Sequence, residues 1–188
     1  MSRATALLAA LLLSACSLAP TQPPKAVYDL GPGASANGGG PLAWRIAEVS
    51  APPWLTSTGM AYRLGFQQAQ RLEHYRDSLW AAPPAALLTQ RLRQHLAGQP
   101  GCAGQAPALL AVHLDLFEQQ FSSASDSRAV LRLQATLWPA SGAARQQSWT
   151  LERRAAPDAA GAARALAQAV DDWLPMLSDW LVSGSCQR

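Results

Sequence analysis

Cys16 carries the most definite chemistry in the 188-residue chain, because of what precedes it. Leu13-Ser14-Ala15-Cys16 sets one aliphatic and two small side chains before a cysteine, the lipobox pattern. Small residues at 14 and 15 suit the narrow subsites of a signal peptidase. The Cys16 thiol is then the nucleophile that takes a diacylglyceryl group, and the amine freed by cleavage after Ala15 can be acylated. The preceding segment fits this chemistry. Arg3 supplies a positive start, and the apolar run from Ala4 to Leu13 is about half as long as a bilayer-spanning helix must be. An ordinary signal peptide with an incidental cysteine is the alternative. Several acyl chains, at about 0.8 kcal/mol per buried methylene, hold a protein on a membrane where one chain is marginal. Ser17 follows the cysteine, where an aspartate would signal inner-membrane retention. The expected address is therefore the outer membrane, on its periplasmic face.

Other reactive side chains are sparse. Cys102 and Cys186 lie in the small-residue stretches GCAG and SGSC. In an oxidising compartment they can form a disulfide worth about 4 kcal/mol through the long loop it closes; two free thiols are the other possibility. His74, His95 and His113 show no i, i+4 pair and no Cys-x-x-Cys accompanies them, so a zinc site has no pattern behind it. His113 stands beside Asp115 on what reads as a solvated strand face. Asp171 and Asp172 are adjacent on a helix, point apart, and are expected in solvent. No G-x-S-x-G elbow occurs. The stretch GPGASANGGG lacks the Lys-Ser/Thr of a phosphate loop. The formal charge is +3, lowered by one if Arg3 is removed, and no basic run exceeds Arg153-Arg154. Nucleic-acid binding thus has no electrostatic footprint. No cofactor or metal is expected, and the chain reads as a binder, not an enzyme.

Hydrophobic residues make up 49% of the chain and charged residues 14%, the balance of a folded domain. The expected organisation is a lipoprotein signal peptide at 1–15, the lipidated cysteine and a proline-rich tether at 16–26, one domain at 27–182, and a tail at 183–188. Fully extended, the tether reaches at most about 35 Å, so the domain hangs close to its membrane. Period-two alternation predicts strands at 26–30, 42–49, 60–66, 70–80, 109–117, 128–138 and 146–153. It groups Leu42, Trp44 and Ile46; Met60, Tyr62, Leu64 and Phe66; Leu110, Val112, Leu114 and Leu116; Leu131, Leu133, Ala135 and Leu137; and Trp149 with Leu151. The glycine-dense 31–41 predicts a loop. Two helices are expected. One, over 83–97, opens with prolines and stacks Leu88, Leu92 and Leu96. The other, over 158–182, is capped by Asp158 and carries an apolar seam at 163, 166, 170, 173, 177 and 180. Pro175 predicts a kink or break there. The fold class is α/β (α+β): a two-layer sandwich with a mostly antiparallel or mixed sheet and two helices on one face.

Two loops resemble partner-binding anchors. SAPPWLTSTG carries Trp54 and Leu55 after two prolines, and SLWAAPP carries Trp80 before two. Tryptophan held in a stiff loop is a strong contact residue, although it serves as often as a lid on the core.

The same stretches carry a family likeness. YDLGP, VSAPPWLTSTGMAYRLG, RLEHYRDSLWAAPPAALLTQRLRQHL, SRAVLRLQATL and AAGAARALAQAVDDWL together resemble the ABC-type transport auxiliary lipoproteins. The most telling pieces are Tyr62-Arg63 and the segment from Arg71 to Pro84. The resemblance implies no catalytic residues. It implies work beside an ABC ATPase, its permease and a periplasmic mammalian-cell-entry (MCE) domain protein that moves lipids or hydrophobic solutes between two membranes. On this reading the chain is a docking component. A lipid or hydrophobic-ligand carrier that opens between helices and sheet is the alternative, and a cell-envelope hydrolase lacks a visible set of polar groups. A flat sheet edge permits a homo-oligomer.

Overall fold

The structure is a computed structural model and describes residues 24–33, 44–97, 107–139 and 142–185. Among the described residues, seven strands form one mixed sheet: β1 (Ala26–Tyr28), β2 (Trp44–Ile46), β3 (Gly59–Leu64), β4 (Glu73–Trp80), β5 (Ala108–Phe121), β6 (Ser127–Trp138) and β7 (Arg145–Ala155). Their order is β1-β4-β3-β5-β6-β7, with β2 also on β5. The long strands β5, β6 and β7 make an antiparallel meander. β6 occupies one edge of β5 along its length, so β2 and β3 share the other, β2 against residues 108–110 and β3 against residues 118–121. The chain after β2 stays on β5 as far as Ser50, which bridges His113, and then makes a 3-10 turn at Pro53–Leu55 before β3.

Alternation builds the core in β6 and β7 as their sequences dictate: Leu131, Leu133, Ala135, Leu137, Trp149 and Leu151 are buried. In β5 it fails halfway. Pairing with β6 slips between Leu114 and Leu116, leaving Asp115 as the extra residue. Such a bulge moves every later side chain to the opposite face. Phe117 thus takes the core position, with its ring 5.2 Å from that of Trp80, and Leu116, expected inside, is only half-buried. Phe66 also departs from expectation. The strand stops at Leu64, a helical turn α1 (Gly65–Gln68) reverses the chain, and Phe66 is 44% exposed. The strand expected over 42–49 is regular only at Trp44–Ile46, and Leu42 lies outside the described residues.

Two long helices cover one face. Helix α2 (Pro84–Leu96) begins with proline in its first turn, where no amide bond is lost, and buries Leu88, Leu92 and Leu96. Helix α3 (Ala159–Ser185) lies across β5, β6 and β7 and packs on α2. Its start is capped by Asp158, whose Oδ1 accepts the Gly161 N–H at 2.6 Å. Gly161 allows the chain to fold back here, since a Cβ would sit 2.5 Å from the Ala156 carbonyl oxygen. The helix continues unbroken through Pro175 to Ser185, three residues past the expected end. A proline inside a helix costs about 3 kcal/mol. Trp173, Leu174, Leu177 and Leu181 are all buried around it, and each contributes about 1.5–3 kcal/mol. Pro175 itself is exposed, as is Asp171, whose carbonyl finds no N–H four residues on.

Candidate functional site

The two tryptophan loops have opposite fates. In Ala51-Pro52-Pro53-Trp54-Leu55, Pro52 is extended and Pro53 opens the 3-10 turn. The Leu55 N–H bonds to the Pro52 carbonyl at 2.9 Å, and the Thr56 hydroxyl donates to the Pro53 carbonyl at 2.7 Å. This stiff turn drives Leu55 into the core at 3% exposure and leaves Trp54 51% exposed. Trp80 is instead the last residue of β4 and only 2% exposed. Its indole N–H has no hydrogen-bond partner among the described residues, so its contribution is apolar burial. Of the three, Trp54 is the exposed one. Leu55 and Trp80 are corrected to core positions.

Beside the Trp54 turn runs a groove of about 570 Å³ between the chain at 48–56 and α2. Val49, Ala51, Pro83, Ala85 and Ala86 line its apolar parts, and Glu48, Gln90 and Arg93 its polar ones. Thr89 pins the two walls together. Its hydroxyl oxygen accepts the Val49 N–H at 2.9 Å and donates to the Ala85 carbonyl at 2.8 Å. The groove is flanked by the Trp54 turn through Ala51 and Thr56, and Trp54 itself is not among its lining residues.

Tyr62 and Arg63, prominent in the sequence, serve architecture. Arg63 Nε reaches Glu118 Oε1 at 2.8 Å, and Gln120 donates to the same oxygen at 2.8 Å. Glu118 is 2% exposed, so these partners satisfy a buried carboxylate. The Tyr62 hydroxyl donates to Glu73 at 2.9 Å and the Tyr75 hydroxyl to Gln119 at 2.6 Å. Gln119 in turn donates to the Ser127 hydroxyl and the Ala156 carbonyl. Burial pushes both phenols above their ordinary value, and for Tyr62 the Glu73 carboxylate adds to the effect. The network ties β3, β4, β5 and β6 to the entrance of α3.

A serine, a histidine and an aspartate do meet, unseen in the sequence. Ser50 Oγ lies 2.8 Å from His113 Nδ1, and His113 Nε2 lies 3.7 Å from Asp115. Acyl transfer also needs free oxyanion donors over a pocket. Here the Ser50 N–H is spent on the Val112 carbonyl and the Leu114 N–H on the Ser50 carbonyl, and the histidine and aspartate sit about 40% exposed at 43% and 42%. The contact fastens the chain after β2 to β5. His95 lies between α2 and α3, its Nε2 2.9 Å from Ser178 Oγ. Burial lowers its pKa, opposed by the Leu174 backbone and Asp171. Asp171 and Asp172 do not simply face water: Asp172 pairs with Arg153 at 2.6 Å, and Asp171 approaches Arg91 at 3.8 Å.

Arg91 is the residue that sequence reading missed. It is 4% exposed and donates to the carbonyls of Leu30 and Gly31, fastening the exit of β1 to α2. Gly33 leaves room for its guanidinium, where a Cβ would fall 2.3 Å from Nη1. The signal was present, since Arg91 falls in the buried stripe with Leu87, Leu88 and Leu92. Leu13, Ser14, Ala15, Cys16, Cys102 and Cys186 lie outside the described residues. Among the described residues no His/Cys/Asp/Glu group of three could hold a metal ion, and no helix is long and apolar enough to cross a membrane.

A family model described as "ABC-type transport auxiliary lipoprotein component" matches residues 28–174. No curated protein matches in sequence. Among solved structures, a Xanthomonas campestris protein assigned to DUF330 is similar with a TM-score of 0.66 and 21% identity, over 84% of this chain and 95% of that one. A crystal structure described only as an uncharacterised protein is similar with a TM-score of 0.65 and 18% identity, over 85% and 99%. At these identities the structures establish a shared fold.

Proposed function

This chain belongs to the ABC-type transport auxiliary lipoprotein family, and on that premise we propose that it is a non-enzymatic docking lipoprotein. Lipid on Cys16 anchors it at the periplasmic face of the outer membrane, and the tether at 16–26 keeps the domain near that surface. The partner is the periplasmic MCE-domain protein of a transporter that moves lipids or hydrophobic solutes. Its permease and ATPase supply the energy. The family match across the folded domain carries this reading, and the exposed Trp54 beside its groove supplies a contact suited to it. A carrier that opened between helices and sheet would need space where Leu110, Leu114, Leu133, Trp173 and Leu177 stand, all at 0% exposure.

The test is crosslinking in cells with the full-length lipoprotein, followed by identification of bound proteins and lipids. Capture of the MCE-domain protein, weakened by Cys16→Ala and by Trp54→Ala, is the expected result. No complex in either membrane or soluble format sinks the docking role. Lipid recovered without any transporter subunit favours the carrier.

A further inference from the structure

Strand polarity tells from which end of the sheet the N-terminal chain arrives. β1 runs parallel to β4, with Ala26 opposite Ser78 and Tyr28 opposite Trp80. The chain upstream of β1 therefore comes from the end where β4 begins, at Glu73. Ala26 stands about 17 Å short of that end, the rise of a strand from Glu73 to Ser78. The residues from Cys16 to Lys25 span at most about 35 Å, so lipid on Cys16 lies at most about 18 Å beyond the end of the sheet. β3 is antiparallel to β4 and parallel to β5, and β6 is antiparallel to β5. The helical turn α1, which follows β3, is thus at this same end, with the turn between β5 and β6.

Every residue from Gly65 to Arg71 is exposed, and none of them is acidic. Phe66 is among them, a large apolar side chain 44% open to solvent. The turn that carries it is braced. Gly65 lies so close to β5 that a Cβ would fall 3.1 Å from the Phe121 carbonyl oxygen. Arg63 Nη1 donates to the carbonyls of Gln70 at 3.2 Å and Ala69 at 3.4 Å, and the Arg71 N–H bonds to the Gln68 carbonyl at 3.1 Å. The backbone thereby holds the Phe66 ring outside the core. The arginines of this end are matched by carboxylates: Arg63 by Glu118, Arg71 by Glu73, Arg128 by Glu152, and Arg154 by Asp126 at 3.8 Å. Its distinctive offer to a neighbouring surface is an apolar ring, not a net charge.

We propose that this end of the sheet rests on the membrane that holds the lipid anchor, with the Phe66 ring entering the bilayer at its headgroup boundary. Ringed side chains of this kind are at home near that depth when they are part of an otherwise polar surface. The tether makes the contact intramolecular, so a weak contact suffices. The inference rests on the Cys16 anchor of the reading above and adds an orientation to it. Trp54 precedes β3 and so belongs to the opposite end of that strand, which leaves it free for a partner while Phe66 faces lipid.

The experiment places the full-length lipoprotein in phosphatidylcholine vesicles, with and without lipids that carry a nitroxide quencher on the acyl chain. One environment-sensitive fluorescent amino acid replaces Gln68 in the first preparation. In the second it replaces Ala144, exposed just before β7 at the opposite end. Flotation with the vesicles reports the anchor, and quenching reports the contact. Quenching at Gln68 and none at Ala144 is the expected result. Phe66→Ser should cut the quenching at Gln68 about fivefold, Phe66→Trp should keep it, and both should float as wild type. A chain that floats without quenching at Gln68, or with equal quenching at both positions, overturns the inference and leaves the anchor standing. Quenching that survives Phe66→Ser overturns it as well, since the tether alone would then explain it. A chain that does not float removes anchor and inference together. No partner protein takes part, so the outcome is separate from the docking role.

Discussion

The stretches around Trp54 and Trp80 look alike on paper, each a tryptophan beside a proline pair, and the fold treats them oppositely. The difference is the order of the residues. Where the prolines come first, they start a 3-10 turn that belongs to no strand, and adjacent residues leave it in different directions, Trp54 outward and Leu55 inward. Where the tryptophan comes first, it is still the end of β4 and inherits that strand's alternation, so Trp80 meets Phe117 inside. A tryptophan before Pro-Pro closes an element. One after Pro-Pro can be presented to a partner.

Replacing each tryptophan by alanine breaks or confirms this contrast, and gives the largest effect. Trp80→Ala is expected to cost about 3–5 kcal/mol of stability, the usual range for a buried aromatic. Trp54→Ala is expected to stay within about 0.5 kcal/mol of wild type, as surface changes do, while it weakens partner capture. Chemical denaturation of the two variants side by side measures both. Equal losses would mean that Trp54 also packs on the core and that the turn presents nothing.

The next effect tests what holds the Trp54 turn in place. Thr89→Val keeps the shape of the side chain but strands the buried Val49 N–H and removes the bond between α2 and the chain that leads to Trp54. An unsatisfied buried donor costs about 1–3 kcal/mol, so the midpoint of denaturation should fall by a corresponding amount. Partner capture should fall more than stability alone explains, because the groove's two walls come apart at this bond. A variant with lower stability and unchanged capture would show that the Trp54 turn needs no support from α2.

The contrast also marks what could be read before the fold was known. β6 and β7 were legible because the ladder between them runs without interruption and neither strand carries an extra residue. β5 was not: in Leu114-Asp115-Leu116-Phe117 either of the last two residues can face inward, and only the slip against β6 decides for Phe117. The break that Pro175 allowed does not occur for a different reason, since its local cost is visible in sequence and the four buried neighbours that outweigh it are not. Arg91 could have been found as a charge inside an apolar helical stripe, but its partners, the Leu30 and Gly31 carbonyls, are long-range. The lipobox pattern at Leu13-Ser14-Ala15-Cys16 is entirely local and takes only four residues to recognise. The groove beside Trp54 is built from two distant segments and has no local signature.

The smallest expected effect separates the two tryptophan regions from the α2–α3 contact by pH. Burial depresses the pKa of His95 below 6.5, and the Leu174 backbone and Asp171 only partly oppose it. A histidine with a depressed folded pKa binds fewer protons folded than unfolded, so stability rises with pH across that range. Its contribution is complete above about pH 6.5 and is lost as pH falls through the lower folded value. His95→Gln should therefore flatten part of the loss of stability between about pH 7 and 5, read as the denaturation midpoint at each pH. Trp80→Ala removes no charge from the α2–α3 contact, so it should lower the whole curve and keep its slope. A His95→Gln curve parallel to wild type would mean that water reaches His95 freely and that α2 and α3 part more readily there than the core around Trp80 allows.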